Sequence, residues 1–173
     1  MQIAYTIAPG RGATDLLLYG LVEGLQSKGY RPCGTVQINS SPVCDGPCDM
    51  DVKVLPDGPV IRISQSLGPE AHGCRLDPSA LENAVGLVEA SMTSGAEFLV
   101  VNKFGKHEAD GRGFRPLIAE ALALEMPVLV GLNNTNVGAF IEFTDGAAVE
   151  LPPDRAALSA WLEERIRQRR DAA

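Results

Sequence analysis

The chain has 173 residues, of which 45% are hydrophobic and 21% charged, with a formal net charge of −7. This profile belongs to a globular protein able to bury a core, and it excludes disordered and fibrous chains. The absence of a concentrated basic face argues against a nucleic-acid partner, because phosphate contacts need clustered cations. The one basic run, Arg165, Arg167, Arg169 and Arg170, reads as the solvated end of a C-terminal helix, where cations complement the helix dipole.

No stretch approaches the roughly 18 apolar residues of a spanning helix, and the start runs into a strand-like IAYTIA without the order of a signal peptide. The expectation is therefore a cytoplasmic, single-domain protein over residues 1–173 with no membrane partner.

In chain order, residues 2–8 read as a strand, PGRG as a break, and 14–28 as a helix with Leu17, Leu21 and Leu25 on one face. Gly29 is placed to end that helix, and 32–37 forms a second strand, so the first unit is β-α-β and the sheet is parallel. Residues 52–55 and 60–64 flank PDG, a turn signal that predicts a β-hairpin within an insert spanning about 38–76. Asp77 caps a helix over 78–92 that opens on Pro78, and 98–101 is a buried strand. Helix over 113–124, strand over 127–131, a short helix over 135–143, strand over 147–151 and a final helix capped by Asp154 complete the chain. The alternation predicts a doubly wound, three-layer α/β fold: a mainly parallel sheet with helices on both faces.

In such a fold the turn after the first strand lies at the carboxyl edge of the sheet, where unpaired N–H groups and a helix dipole attract anions. Pro9, Gly10, Arg11, Gly12, Ala13 and Thr14 occupy that turn. A phosphate-loop of the Walker type also needs a lysine for the outer phosphates and a Ser/Thr hydroxyl for magnesium. Ala13 and Thr14 fill the places where that lysine is expected, and Asp15 adds a negative charge beside them. Arg11 is a partial substitute; a plain strand-to-helix turn is the alternative.

The strand over 98–101 ends in Asn102-Lys103, where a magnesium-binding phosphate-loop enzyme carries an acidic residue. Asparagine is a poor substitute for a hard carboxylate, so strong metal-assisted hydrolysis is not expected. Lys103, Lys106, Arg112 and Arg115 fall close together in the following segment, either converging on an anion over the glycine turn or simply solvated. Glu108 is the carboxylate placed to orient a water or a metal, or to serve in a salt bridge.

Cys44 and Cys48 flank DGP, and His72 and Cys74 sit in a second loop, giving four zinc-type donors near the hairpin. The C-x₃-C spacing departs from the commoner C-x₂-C, so a zinc site and ordinary loop thiols both stand. Cys33 reads as a small buried hydrophobe in its strand. His72 and Arg75 also suit anion capture, with a salt bridge from Arg75 to Glu70 or Asp77 as the alternative.

With APGRGATD, VVNKFGKHEA and PVLVGLN in these places, the chain resembles the thermophile-type nucleoside-triphosphatases over nearly its full length. Gly105, Lys106 and Glu108 match that family's glycine, lysine and glutamate, whereas Asn102 and Lys103 replace its acidic pair and Asn133 its histidine. The strings CDMDVKVLPDG, ISQSLGPEAHGCRLDPSALE and NKFGKHEADGRGF are similar, more closely still, to domain-of-unknown-function family 2478. That bacterial group is placed with phosphate-loop folds and often accompanies molybdate uptake genes. The resemblance implies a degenerate phosphate-loop protein that binds a nucleotide or a tetrahedral oxyanion, phosphate or molybdate, without efficient hydrolysis, as an accessory to molybdenum metabolism. A slow nucleoside-triphosphatase using Glu108, and a metal-carrying protein using Cys44, Cys48, His72 and Cys74, are the alternative expectations. A homodimer is expected.

Overall fold

The structure is a computed structural model that describes residues 2–38, 50–65 and 75–172. Seven strands form one sheet: β1 (Ile3–Thr6), β2 (Pro32–Ile38), β3 (Asp51–Leu55), β4 (Val60–Arg62), β5 (Phe98–Val101), β6 (Val128–Gly131) and β7 (Val149–Leu151). Their order across the sheet is β4-β3-β2-β5-β6-β1-β7. All neighbours are parallel except β2 with β3 and β3 with β4.

Strands β1, β5 and β6 are buried along their whole length, as central parallel strands must be when helices cover both faces. One core lies where α2 (Pro78–Thr93), α4 (Arg115–Ala123) and α5 (Val137–Phe143) meet the sheet. The other is closed by α1 (Ala13–Ser27) and α6 (Arg155–Ala172). The three-layer expectation holds, with one refinement: β1 and β2 are not neighbours, because β5 and β6 lie between them.

Helix α1 buries Leu18, Leu21, Val22 and Leu25, the i, i+3, i+4, i+7 stripe that packs it on the sheet. It ends as Gly29 would have it. Gly29 lies at φ +87, the Tyr30 N–H donates to Leu25 O at 3.1 Å and the Gly29 N–H to Gln26 O at 2.9 Å. Asp77 Oδ1 accepts the Ser79 and Ala80 N–H groups at 2.9 and 3.2 Å, and Asp154 Oδ1 accepts that of Ala157 at 2.9 Å, so both N-caps sit where the sequence places them.

The hairpin prolongs the sheet. Strand β3 pairs with β2 from Gly34↔Leu55 to Ile38↔Asp51, and β4 forms the edge. Arg62 grips Asp51 across the hairpin through Nε to Oδ1 at 2.9 Å and Nη2 to Oδ2 at 3.3 Å. Regular pairing stops at Arg62, short of the expected Ser64, which instead bridges Leu76.

Two elements differ from the sequence expectation around residue 110. A short helix, α3 (Lys106–Ala109), forms where a loop was expected, and α4 starts at Arg115 because Gly113, at φ +59, lies outside helical conformation. At the far end the basic run is half tied down: Arg167 pairs with Glu164 and Asp171, and Arg170 with Glu97. Among the described residues no helix is long and apolar enough to cross a membrane.

Candidate functional site

Parallel pairing brings the carboxyl ends of β1, β6, β5 and β2 to one edge: Thr6 lies opposite Gly131, Val130 opposite Val101, and Thr35 opposite Val101 on its other side. The chain leaving β1 runs into the glycine turn. Gly10 and Gly12 sit at φ +102 and +73, a region that side chains avoid, so the turn needs glycine at both. Thr14 Oγ1 accepts the Ala8 N–H at 3.0 Å, drawing the loop over the first turn of α1.

A cavity of about 330 Å³ opens over this turn. Of the anticipated ligand-binding residues, Pro9, Gly10, Arg11, Gly12, Thr14, Asn102 and Lys103 line it, and Asp15 does too. Gly131 forms part of the wall because nothing larger fits: a Cβ there would overlap the Asn102 carbonyl oxygen and press on Leu18 and Thr14. Leu132, Asn133 and Asn134 close the far side. Asn134 escaped the sequence reading, although two successive asparagines directly after a buried strand were the signal available.

Asn102 links three elements. It is 4% exposed, its Nδ2 donates to Asp15 Oδ1 at 2.8 Å, and its Oδ1 accepts the Gln37 N–H at 2.9 Å. Both polar atoms of the residue that stands in the acidic position are thus engaged within the protein. Among the described residues Asp15 is the one carboxylate on the cavity wall, and its Oδ1 already accepts from Asn102. Magnesium prefers anionic oxygen, so this donor set does not fit a divalent cation at the end of β5.

The expected convergence of four cations is only partly realised. Lys103 lines the glycine-turn cavity and, together with Lys106, a neighbouring one of about 270 Å³, and neither Arg112 nor Arg115 lines either. Arg115 is drawn elsewhere: its Nη1 donates to Ala109 O at 3.1 Å and its guanidinium lies 4.7 Å over the Phe143 ring. Arg112 lies close enough to Glu82 to help hold that carboxyl below its ordinary range, after the larger effect of a hydrogen bond from His107. Ala13, the first residue of α1, does not line the cavity.

Glu108 lines the neighbouring cavity, not the one over the glycine turn. It is 3% exposed; Oε2 accepts the Gly105 N–H at 2.9 Å and Oε1 that of Phe114 at 3.3 Å. Burial pushes its carboxyl above the usual range, with these N–H groups opposing the shift. A Cβ on Gly113 would overlap Glu108 Oε1, so the 105–114 segment folds tightly around this side chain. His107 packs alongside, its Nε2 2.9 Å from Glu82 Oε1.

Cys44, Cys48, His72 and Cys74 lie outside the described residues, as does Glu70. Among the described residues no group of three or more His, Cys, Asp or Glu is arranged to hold a metal. Arg75 Nε donates to Gln65 O at 3.3 Å, while Asp77 serves as a helix cap. Cys33 is fully buried in β2, its Sγ 3.4 Å from Phe98 O, and burial pushes its thiol up to about 12.

The comparisons with known proteins bear on this geometry in three ways. The solution structure of a human cancer-related nucleoside triphosphatase matches the whole of both chains with a TM-score of 0.60 at 18% identity. The fold is therefore that of the phosphate-loop NTPases. A molybdenum import ATP-binding protein, ModC 2 of Bradyrhizobium diazoefficiens, is 34% identical over 164 residues. That match takes in 91% of this chain, and the chain spans 18% of that protein's length. The family model described as "Protein of unknown function (DUF2478)" matches residues 3–161, and the chain belongs to that family.

Proposed function

We propose that the glycine-turn cavity binds a nucleotide or a tetrahedral oxyanion, phosphate or molybdate, and does not hydrolyse it efficiently. The observation that carries this reading is the cavity itself. Gly10, Arg11 and Gly12, the start of a fifteen-residue helix, Lys103, Asn133 and Asn134 all border one space of about 330 Å³. Donors and cations around a concave site at the carboxyl edge of a parallel sheet are what an anion requires.

The same site lacks what phosphoryl transfer requires. Ala13 stands where a lysine would reach the outer phosphates, and Asn102 stands where a carboxylate would hold magnesium, with its amide committed to Asp15 and Gln37. The likeness to a protein named for ATP binding in molybdenum import puts ATP and molybdate among the ligands to test, with a role beside molybdenum uptake as the accompanying proposal.

A thermal-shift panel with ATP, ADP, phosphate and molybdate, each with and without magnesium, tests the reading. At about a hundredfold excess over its dissociation constant a true ligand adds roughly 2.7 kcal/mol. At least one of the four should raise the midpoint, in a manner lost in Arg11→Ala combined with Lys103→Ala and indifferent to magnesium. A panel in which none does so would overturn the proposal.

A further inference from the structure

Beside the glycine turn, a second cavity of about 270 Å³ opens between β2 and β3 on one side and α2, α3 and Phe114 on the other. It shares Asn102, Lys103 and Asn133 with the first cavity, so the two are neighbours. Their chemistry differs. Much of the second is hydrocarbon, from Val52, Ile63, Leu76, Leu81 and Phe114. Apolar surface left facing a cavity in this way favours an apolar occupant, since each square ångström removed from water is worth about 25 cal/mol.

The rim supplies the polar end. Lys103 and Lys106 are exposed there, and neither ammonium has a hydrogen bond or ion pair among the described residues. Among the described residues Glu108 is the carboxylate on this wall, and its oxygens are turned to the Gly105 and Phe114 N–H groups. Thr35, 2% exposed and on the same wall, has no side-chain hydrogen bond among the described residues.

We infer that the second cavity binds a small organic anion, with its apolar or aromatic body against Val52, Ile63, Leu76, Leu81 and Phe114 and its anionic group at Lys103 and Lys106. The position of Lys103 on both cavities places this ligand next to the anion held at the glycine turn. The inference rests on the glycine-turn reading only for that adjacency.

Naphthalene-2-carboxylate and its neutral counterpart naphthalene-2-carboxamide are suitable probes, titrated by calorimetry against the full chain. The carboxylate should bind at one equivalent and at least tenfold more tightly than the carboxamide. Lys106→Glu, a change at an exposed residue, should erase that preference, and Leu76→Arg should weaken both probes by at least tenfold while leaving the thermal shift from phosphate or ATP intact. Equal affinity for the two probes, or Lys106→Glu and Leu76→Arg variants that bind them as the parent does, would overturn the inference. Failure of the first-cavity reading shows separately, as loss of the phosphate and ATP shifts with probe binding retained.

Discussion

The Asn102 amide donates to Asp15 Oδ1 across 2.8 Å and thereby ties the carboxyl end of β5 to the first turn of α1. Its carbonyl oxygen meanwhile holds the Gln37 N–H at the end of β2. Asn102→Ala removes both bonds from a buried position and should cost about 1–3 kcal/mol in urea unfolding. Asn102→Asp replaces a donor with a second carboxyl beside Asp15. Like charges at that distance repel, so the variant should be less stable than the parent at neutral pH. Two facing carboxylates are also what magnesium lacks in the parent, so Asn102→Asp should show a magnesium-dependent rise in melting temperature that the parent does not. An unchanged magnesium response in the variant would show that this end of β5 was never a latent metal position.

Ala13→Lys tests the other missing part. The residue opens α1 directly after Gly12, and a lysine there can follow the loop toward the cavity that Arg11 and Lys103 already border. If a phosphate group binds there, the added cation should tighten ATP or phosphate binding by about tenfold, or roughly 1.4 kcal/mol, measured by calorimetry. Phosphate release from ATP should stay at background, since Asn102 still occupies the acidic position. Tighter binding without turnover separates the anion site from the machinery of hydrolysis.

Most of the fold was legible because its signals are local. Asp77 and Asp154 read as caps since a carboxylate before a helical run has one strong use, and Gly29 read as a stop since only glycine enters that φ cheaply. What a linear pattern does not carry is which strands become neighbours. The separation of β1 from β2, and the hairpin's continuation of the sheet, come from long-range pairing. The glycine-turn residues were recognisable because the site is built from a contiguous segment. The cations were not sorted, because Lys103 borders both cavities, Lys106 only the second, and Arg115 turns to Phe143 through contacts made by α3 and α5, and α3 was itself unread.

Gly34 is the position in β2 where the sheet depends on a missing side chain. It lies at φ +113, and a Cβ there would overlap the Val100 carbonyl oxygen of the adjacent strand. Gly34→Ala should therefore destabilise the protein by more than about 2 kcal/mol, combining backbone strain with overpacking at a fully buried seam. Gly24→Ala, in α1 with open space around the added methyl, is the control, and should be neutral or stabilising by up to about 1 kcal/mol. Chemical denaturation of both variants gives the comparison directly.

The neighbouring Cys33 should be chemically silent in the native state. Its thiol is fully buried and pushed up to about 12 by desolvation, so almost no thiolate exists at about pH 8 and reagents have no path to it. Iodoacetamide labelling followed by peptide mapping should leave Cys33 unmodified in the folded protein and modify it fully in guanidinium. Native labelling at a rate close to that of the unfolded chain would mean that β2 opens far more readily than its burial allows.

Glu108 gives the fold a pH dependence of defined sign. Burial raises its carboxyl above the unfolded value of about 4.3, so the folded state binds its proton more tightly than the unfolded chain does. Its contribution is then fully present below the ordinary carboxylate range and declines as pH rises through the raised folded value. Glu108→Gln keeps one acceptor for the Gly105 or Phe114 N–H, loses the other, and has no proton to titrate. The variant should be less stable than the parent by about 1 kcal/mol at pH near 4, with the gap shrinking as pH rises and the parent's buried carboxyl ionises. Urea unfolding at a series of pH values measures the gap. A difference that stays constant, or widens with pH, would mean that the N–H groups of Gly105 and Phe114 outweigh desolvation and that Glu108 is held as a carboxylate.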